Sequence, residues 1–151
     1  MTDSLYAILT QLSGQLLLLP NAAVAEVTAL DRFEPAEPGA PAWLIGWHAT
    51  AERRLPVLAF EVLCGGAVPA VPRRGRVVIV HPIGARLGGG GFAVLAQAHP
   101  HMVSVHRSAL DAVDPPPADD PGVVLTRVRV AGQDALIPDL ERVEQQVATL
   151  G

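Results

Sequence analysis

Every apolar run in this chain is cut short by a glycine, a proline or a charge. That punctuation leaves room for strands and tight turns and little room for long helices. Fourteen glycines and fourteen prolines among 151 residues supply most of the breaks. Half of the residues are apolar, so a sizeable core is available, but aromatics are only 4%. The core must therefore be built from valine, leucine and alanine. A length of 151 residues fits one domain, with room for two lobes that share a core.

Residues 5–12 read as a strand, with Tyr6, Ile8 and Leu12 on one parity and Leu5, Ala7 and Leu9 on the other. Ser13-Gly14 is a turn, and residues 15–19 form a second strand that Pro20 ends, which makes an N-terminal hairpin. Asn21 then caps a helix of one or two turns, in which Val24, Val27 and Leu30 fall at i, i+3 and i+6. Residues 34–42 are a Pro-rich loop leading into Trp43-Leu44-Ile45-Gly46-Trp47, which holds both tryptophans. Residues 55–63 read as a buried strand closing on Cys64-Gly65-Gly66. Further strands are expected at 77–80, 92–95, 102–105, 123–130 and 135–137, with loops at 83–91 and 114–122. Asp139 caps a C-terminal helix whose stripe of Leu140, Val143, Val147 and Leu150 opposes Glu141, Arg142, Glu144 and Gln145. Many short strands and one convincing helix predict a mainly β protein, either small barrels or a sandwich.

Charge and residue usage narrow the function. The net charge of −4 removes the overall attraction to phosphate that drives nucleic-acid binding. Arg73, Arg74 and Arg76 form the only basic run, at the start of an apolar strand, where arginines protect an edge. All eleven basic residues are arginine. Without lysine there is no Schiff base, no P-loop cradle and no lysine nucleophile. The single cysteine, Cys64, has no internal disulfide partner, which fits a reducing cytosol. The opening Met1-Thr2-Asp3-Ser4 lacks a signal-peptide n-region, and no apolar stretch nears the roughly 20 residues of a membrane span. A soluble, cytoplasmic protein with no membrane insertion and no nucleic-acid partner is the expectation.

Catalytic constellations are missing from the pattern. Gly88-Gly89-Gly90-Gly91 has the composition of a phosphate loop without its Lys-Ser/Thr or a dinucleotide spacing. The serines include no nucleophile elbow, and Asp119-Asp120 sit in a Pro-rich loop. His99 and His101 share a parity, with His106 close by, a spacing compatible with zinc or copper. Pro100 lies between the first two, and no cysteine or acidic residue joins the cluster, so a surface tip is the plainer reading. Trp43, Leu44 and Trp47 stand between core and interface, since two tryptophans within five positions can anchor a partner.

The order of these pieces resembles the CheW-like family, adaptors of bacterial chemosensory arrays. The resemblance is carried by the strand-turn-strand ending in Leu19-Pro20, and by Val24-Ala25-Glu26-Val27. It continues through Ala40-Pro41-Ala42-Trp43-Leu44-Ile45-Gly46 and Leu55-Pro56-Val57-Leu58-Ala59-Phe60. Strands like 76–81 and 92–96 follow, then a hairpin and a strand running into a terminal helix, so nearly the whole chain is covered. Typical members carry Leu-Arg-Gly before the Pro-Val strand, with the arginine implicated in receptor contact. Here that stretch is Thr50-Ala51-Glu52, followed by Arg53 and Arg54, and a usual aspartate is Gln97. The Phe60-Glu61-Val62-Leu63-Cys64-Gly65 ending and the Phe92-Ala93-Val94-Leu95-Ala96-Gln97 strand are similar to accessory members of the ChpC type, from type IV pili (twitching motility) chemosensory systems.

The resemblance implies residues 1–151 as a single domain of two interleaved, five-stranded, SH3-like β-barrel lobes, with a short helix and a C-terminal helix. It implies no catalysis, no cofactor and no metal. Its implied partners are the regulatory domain of a CheA-type histidine kinase and a methyl-accepting chemoreceptor. Val24 and Val27 are then expected in the groove between the lobes, and Arg53, Val57 and Phe60 near an edge facing a partner. Two other readings compete: a small metal-dependent enzyme using His99, His101 and His106, and a stand-alone β-barrel interaction domain outside signalling.

Overall fold

The computed structural model describes residues 4–30, 33–49, 54–72, 75–82, 91–106, 111–112, 124–130 and 132–150. The chain opens with β1 (Ser4–Gln11) and β2 (Leu16–Pro20), a hairpin turning at Gly14, where φ is +82°. A single 3-10 turn (Asn21–Ala23) leads to β3 (Val24–Ala29), β4 (Phe33–Pro35), β5 (Leu44–Ala49) and β6 (Arg54–Leu58). After the one-turn helix α1 (Phe60–Leu63) come β7 (Arg76–Val80), β8 (Phe92–Ala96), β9 (His101–His106) and β10 (Asp111–Ala112). The chain finishes with β11 (Val124–Val130), β12 (Gln133–Pro138) and α2 (Leu140–Ala148).

Two sheets result. One has the order β10-β11-β12-β2-β1-β9 and the other β3-β7-β8-β6-β5-β4. Each contains five strands of at least five residues, as expected, plus one short edge strand, β10 or β4. The second sheet is built wholly from residues between the first sheet's opening hairpin and its later strands, so the lobes are interleaved in the chain. Pairing is antiparallel except for β12 with β2 and β6 with β8.

Strand alternation sorts the apolar side chains into three clusters. On β7 and β8, Val78, Val80, Phe92 and Val94 point to a core shared by both lobes, while Val77, Ile79, Ala93 and Leu95 fill the interior of their own lobe. On β2, Leu17 and Leu19 join the shared core, and Leu18 packs inside the other lobe with Ala7, Val128 and Ala135. Strands buried on both faces read as continuous apolar runs, which is why Leu16-Leu17-Leu18-Leu19 and Val77-Val78-Ile79-Val80 carry no polar residue.

Helix α2 lays Val143 and Val147 on the shared core, capped by Asp139, whose carboxylate accepts from the Arg142 N–H at 3.2 Å. Glu144, expected on the solvated face, is instead fully buried. A helical face wide enough to cover both lobes takes in more than the four-residue stripe.

Two element expectations change. The segment expected as a helix over Val24, Val27 and Leu30 is strand β3, and only Asn21–Ala23 is helical. The strand expected over residues 55–63 ends at Leu58, and Phe60–Leu63 coils into α1. Gly65, at φ +90°, closes α1, with the Gly66 N–H donating to the Glu61 carbonyl at 2.8 Å, a Schellman-type stop that needs a left-handed residue. This turn carries Glu61 to the other lobe, where its buried carboxylate accepts the Ser13 N–H at 2.8 Å.

Candidate functional site

Val24 and Val27 lie on β3, at one edge of its sheet, and pair with Val80 and Val78 of β7. Strict alternation would put residues three apart on opposite faces. A bulge between Val24 and Glu26 inserts one residue, so both valines face the shared core. Leu30 falls on the other face, against Leu55, Val57 and Val77. The spacing that reads as a helix is therefore a bulged strand. Both valines are half-buried, while Ala25 and Glu26 are exposed along the free edge.

The other sheet meets this border through β1. Ile8 enters the shared core, and its cross-strand partner Met102 stands 61% exposed on the same face. Tyr6, two residues from Ile8 and opposite Ser104, is 62% exposed. Cross-strand diagonal neighbours lie within reach of long side chains, so Tyr6 and Met102 make one apolar ridge that extends the shared-core face past its cover. The 3-10 turn that precedes Val24 lies against β1. The sequence reading missed both residues. Its one signal was the parity that Tyr6 shares with Ile8.

Strand β5 repeats the bulge. Leu44 pairs with Leu58 and Gly46 with Val57, so one extra residue brings Trp47 onto the face of Leu44. Leu44 is buried in the shared core, whereas Trp43 and Trp47 are half-buried against it. The Trp43 carbonyl accepts the Ala59 N–H at 2.9 Å, holding β5 to the approach of α1. Over Trp47 sits the Arg54 guanidinium, 4.7 Å from the ring centroid, and Arg54 is paired with Glu34 at 2.8 Å. Gly46 is obligatory here, because a Cβ would collide with the Glu34 carbonyl and the Phe33 ring.

Val57 and Phe60 are 0% and 1% exposed. Val57 fills the interior of its lobe and Phe60 the shared core. A partner-facing role for these two side chains is thus corrected to a packing role. Arg53 and the Thr50-Ala51-Glu52 stretch lie outside the described residues, as do Arg73, Arg74 and the loop residues 83–90 and 113–123.

The histidine cluster does not converge. His99 and His101 have ring centroids 6.2 Å apart, and His99 Nδ1 accepts from Arg76 Nε at 3.3 Å. His106 closes the far end of β9, five residues from His101, or roughly 16 Å at strand rise. Among the described residues no three histidine, cysteine or acidic side chains gather as metal ligands. The arginine bound to His99 would also repel a cation there. Among the same residues no helix is long and apolar enough to cross a membrane.

Fifteen chains of solved structures match this fold. One is the scaffolding protein TtCheW from Thermoanaerobacter tengcongensis, with a TM-score of 0.73 and 16% sequence identity, over 93% of this chain and 87% of that one. The likeness fixes the architecture as two SH3-like β lobes. No curated protein matches the sequence significantly. The model of the CheW-like domain matches residues 7–147, nearly the whole chain, and the protein belongs to the CheW-like domain family.

Proposed function

We propose that this protein is a non-catalytic signalling adaptor that couples a CheA-type histidine kinase, through its regulatory domain, to a methyl-accepting chemoreceptor. The observation that carries the reading is the border of the shared core. Exposed Tyr6 and Met102 on one lobe, and half-buried Val24 and Val27 on the edge of the other, are apolar groups left uncovered where the two lobes meet. Such groups, flanked by polar strand edges, suit a protein partner. Trp47, with Arg54 stacked on it, offers a second anchor of the residue types that dominate interfaces. Arg53, next to Arg54 in sequence, is proposed as a partner contact, in place of the arginine missing from Thr50-Ala51-Glu52.

The test mixes the purified chain with a CheA-type regulatory domain and with a receptor signalling tip on a size-exclusion column. Co-migration with at least one is expected. Met102→Asp and Val27→Asp should each weaken it at least tenfold while the far-UV spectrum stays unchanged. Failure to bind either partner overturns the adaptor reading. The likeness of Phe60-Glu61-Val62-Leu63-Cys64-Gly65 and Phe92-Ala93-Val94-Leu95-Ala96-Gln97 to accessory members of the ChpC type favours a place in a type IV pili chemosensory system, in cytoplasm, over a flagellar one. Deleting the gene should then impair twitching and spare swimming, and the reverse outcome excludes that placement.

A further inference from the structure

The two sheets end in four edge strands, and three of these are blunted against pairing with another chain. β10 is two residues long, and β4 is three residues long and contains Pro35. β3 is bulged and carries the exposed charge of Glu26. β9 has none of these devices. Its six residues, His101–His106, pair with β1 in unbroken register and include no proline, arginine or acidic residue. Among the described residues, the backbone of β9 makes no hydrogen bond on the side away from β1. His101, Met102 and Ser104 are exposed, so their side chains are uncovered. An edge of this kind presents a row of N–H and C=O groups to which a further strand can add.

The occupant that fits is a second copy of the same strand. A two-fold axis normal to the sheet sets each residue of one copy opposite a residue of the same parity in the other. Outward-pointing backbone groups therefore always meet outward-pointing groups. Centring the pair on Val103 sets Val103 against itself, Met102 against Ser104 and His101 against Val105. Val103 packs on the lobe-interior cluster of Ala7, Leu18, Val128 and Ala135. Its copy, about 5 Å away as a cross-strand neighbour, would carry that core across the axis. Charge favours the same strip. The net charge of −4 opposes self-association, whereas β9 brings no formal charge to the contact.

We propose that β9 pairs antiparallel with β9 of a second copy, joining the two copies of its sheet into one continuous sheet about a two-fold axis. The contact uses the same patch twice and closes on itself, so assembly stops at the dimer. A single strand pair is a small interface, and the dimer is therefore weak. The proposal does not depend on the adaptor reading.

Sedimentation velocity on the full chain, from about 1 µM to about 1 mM, spans the range of weak complexes. The sedimentation coefficient should rise with concentration to the value of a dimer and go no higher. In the proposed register, position 102 of one copy faces position 104 of the other. Met102→Lys/Ser104→Lys therefore sets like charges opposite each other twice, and this double variant should stay monomeric. Met102→Glu/Ser104→Glu should stay monomeric for the same reason. Both positions are exposed. An equimolar mixture of the two variants sets opposite charges across the axis and should dimerise again, which a variant that had lost its fold could not do. In the wild type, hydrogen exchange at the β9 amides should be slower at high concentration than at low. A monomeric wild type, growth beyond the dimer, association that survives either double variant, a mixture that stays monomeric, or β9 exchange that ignores concentration would each overturn the proposal.

Discussion

Strands β7 and β8 lie in one sheet with β3 and β5, yet the two pairs use their side chains differently. In β7 and β8 alternation is unbroken, and successive residues go to the shared core and the lobe interior in turn. In β3 and β5 a bulge interrupts the ladder, and residues three apart come to one face. The unbroken pair is central and almost wholly buried, whereas the bulged pair lies toward the sheet's margins and presents Val24, Val27 and Trp47 half-exposed. The difference teaches where recognition can sit. A central strand is held by partners on both edges and both faces, so changing it costs the fold. A bulged marginal strand has a residue to spare and can aim side chains at the border of the core.

The largest expected effect tests the core side of this comparison. Phe60 and Phe92 are each 1% exposed in the shared core. Phe60→Ala and Phe92→Ala should each destabilise by about 3–5 kcal/mol, enough to abolish most of the stability of a domain this size. Urea denaturation measures it. A stable Phe60→Ala that loses only partner binding would return Phe60 to the interface.

A paired substitution separates the two kinds of strand directly. Val78 and Val27 are cross-strand partners, with Val78 fully buried and Val27 half-exposed. Val78→Ala should cost about 2 kcal/mol from lost methyl burial and the cavity left behind. Val27→Ala should cost less than about 1 kcal/mol, since its methyls are only partly removed from water. Equal costs would erase the distinction between centre and margin.

Next is the bulge itself. Deleting Ala25 removes the extra residue and leaves Val24 and Val27 two apart, so plain alternation keeps both on the shared-core face and their pairings with Val80 and Val78 stand. The variant should lose less than about 1 kcal/mol, the range of a change away from the core. A loss as large as that of Phe60→Ala would show that the margin has no residue to spare.

These contrasts also mark what was readable in the residues alone. The central strands were legible because a strand buried on both faces must be an unbroken aliphatic run, and turn residues bound each one. The hairpin at Gly14 and the Asp139 cap were legible because their chemistry is local. Val24, Val27 and Leu30 misled because a bulge mimics helical spacing, and nothing in Val24-Ala25-Glu26-Val27 says where the β7 ladder slips. Phe60 and Val57 were read as part of a buried strand, and only the family resemblance set them at a partner-facing edge; their burial agrees with the local apolar pattern. Tyr6 and Met102 were invisible as a pair because 96 residues separate strands that only the fold brings together.

The smallest effect concerns the margin alone. Arg54 stacks on Trp47 and pairs with Glu34, with both charged side chains about half exposed. Exposed ion pairs contribute about 0–1 kcal/mol, and a cation over an exposed ring about 0.5–1 kcal/mol. Arg54→Ala should therefore shift stability by no more than about 1 kcal/mol. It should instead uncover the outer face of Trp47 and move the tryptophan emission to longer wavelength. Arg54→Met, which keeps an aliphatic stem over the ring, should hold the emission near wild type. If Arg54→Ala were as damaging as Val78→Ala, Trp47 would be held in place from outside by its cation. The bulge in β5 would then not be what positions it, and the margin would have no independence from its surface contacts.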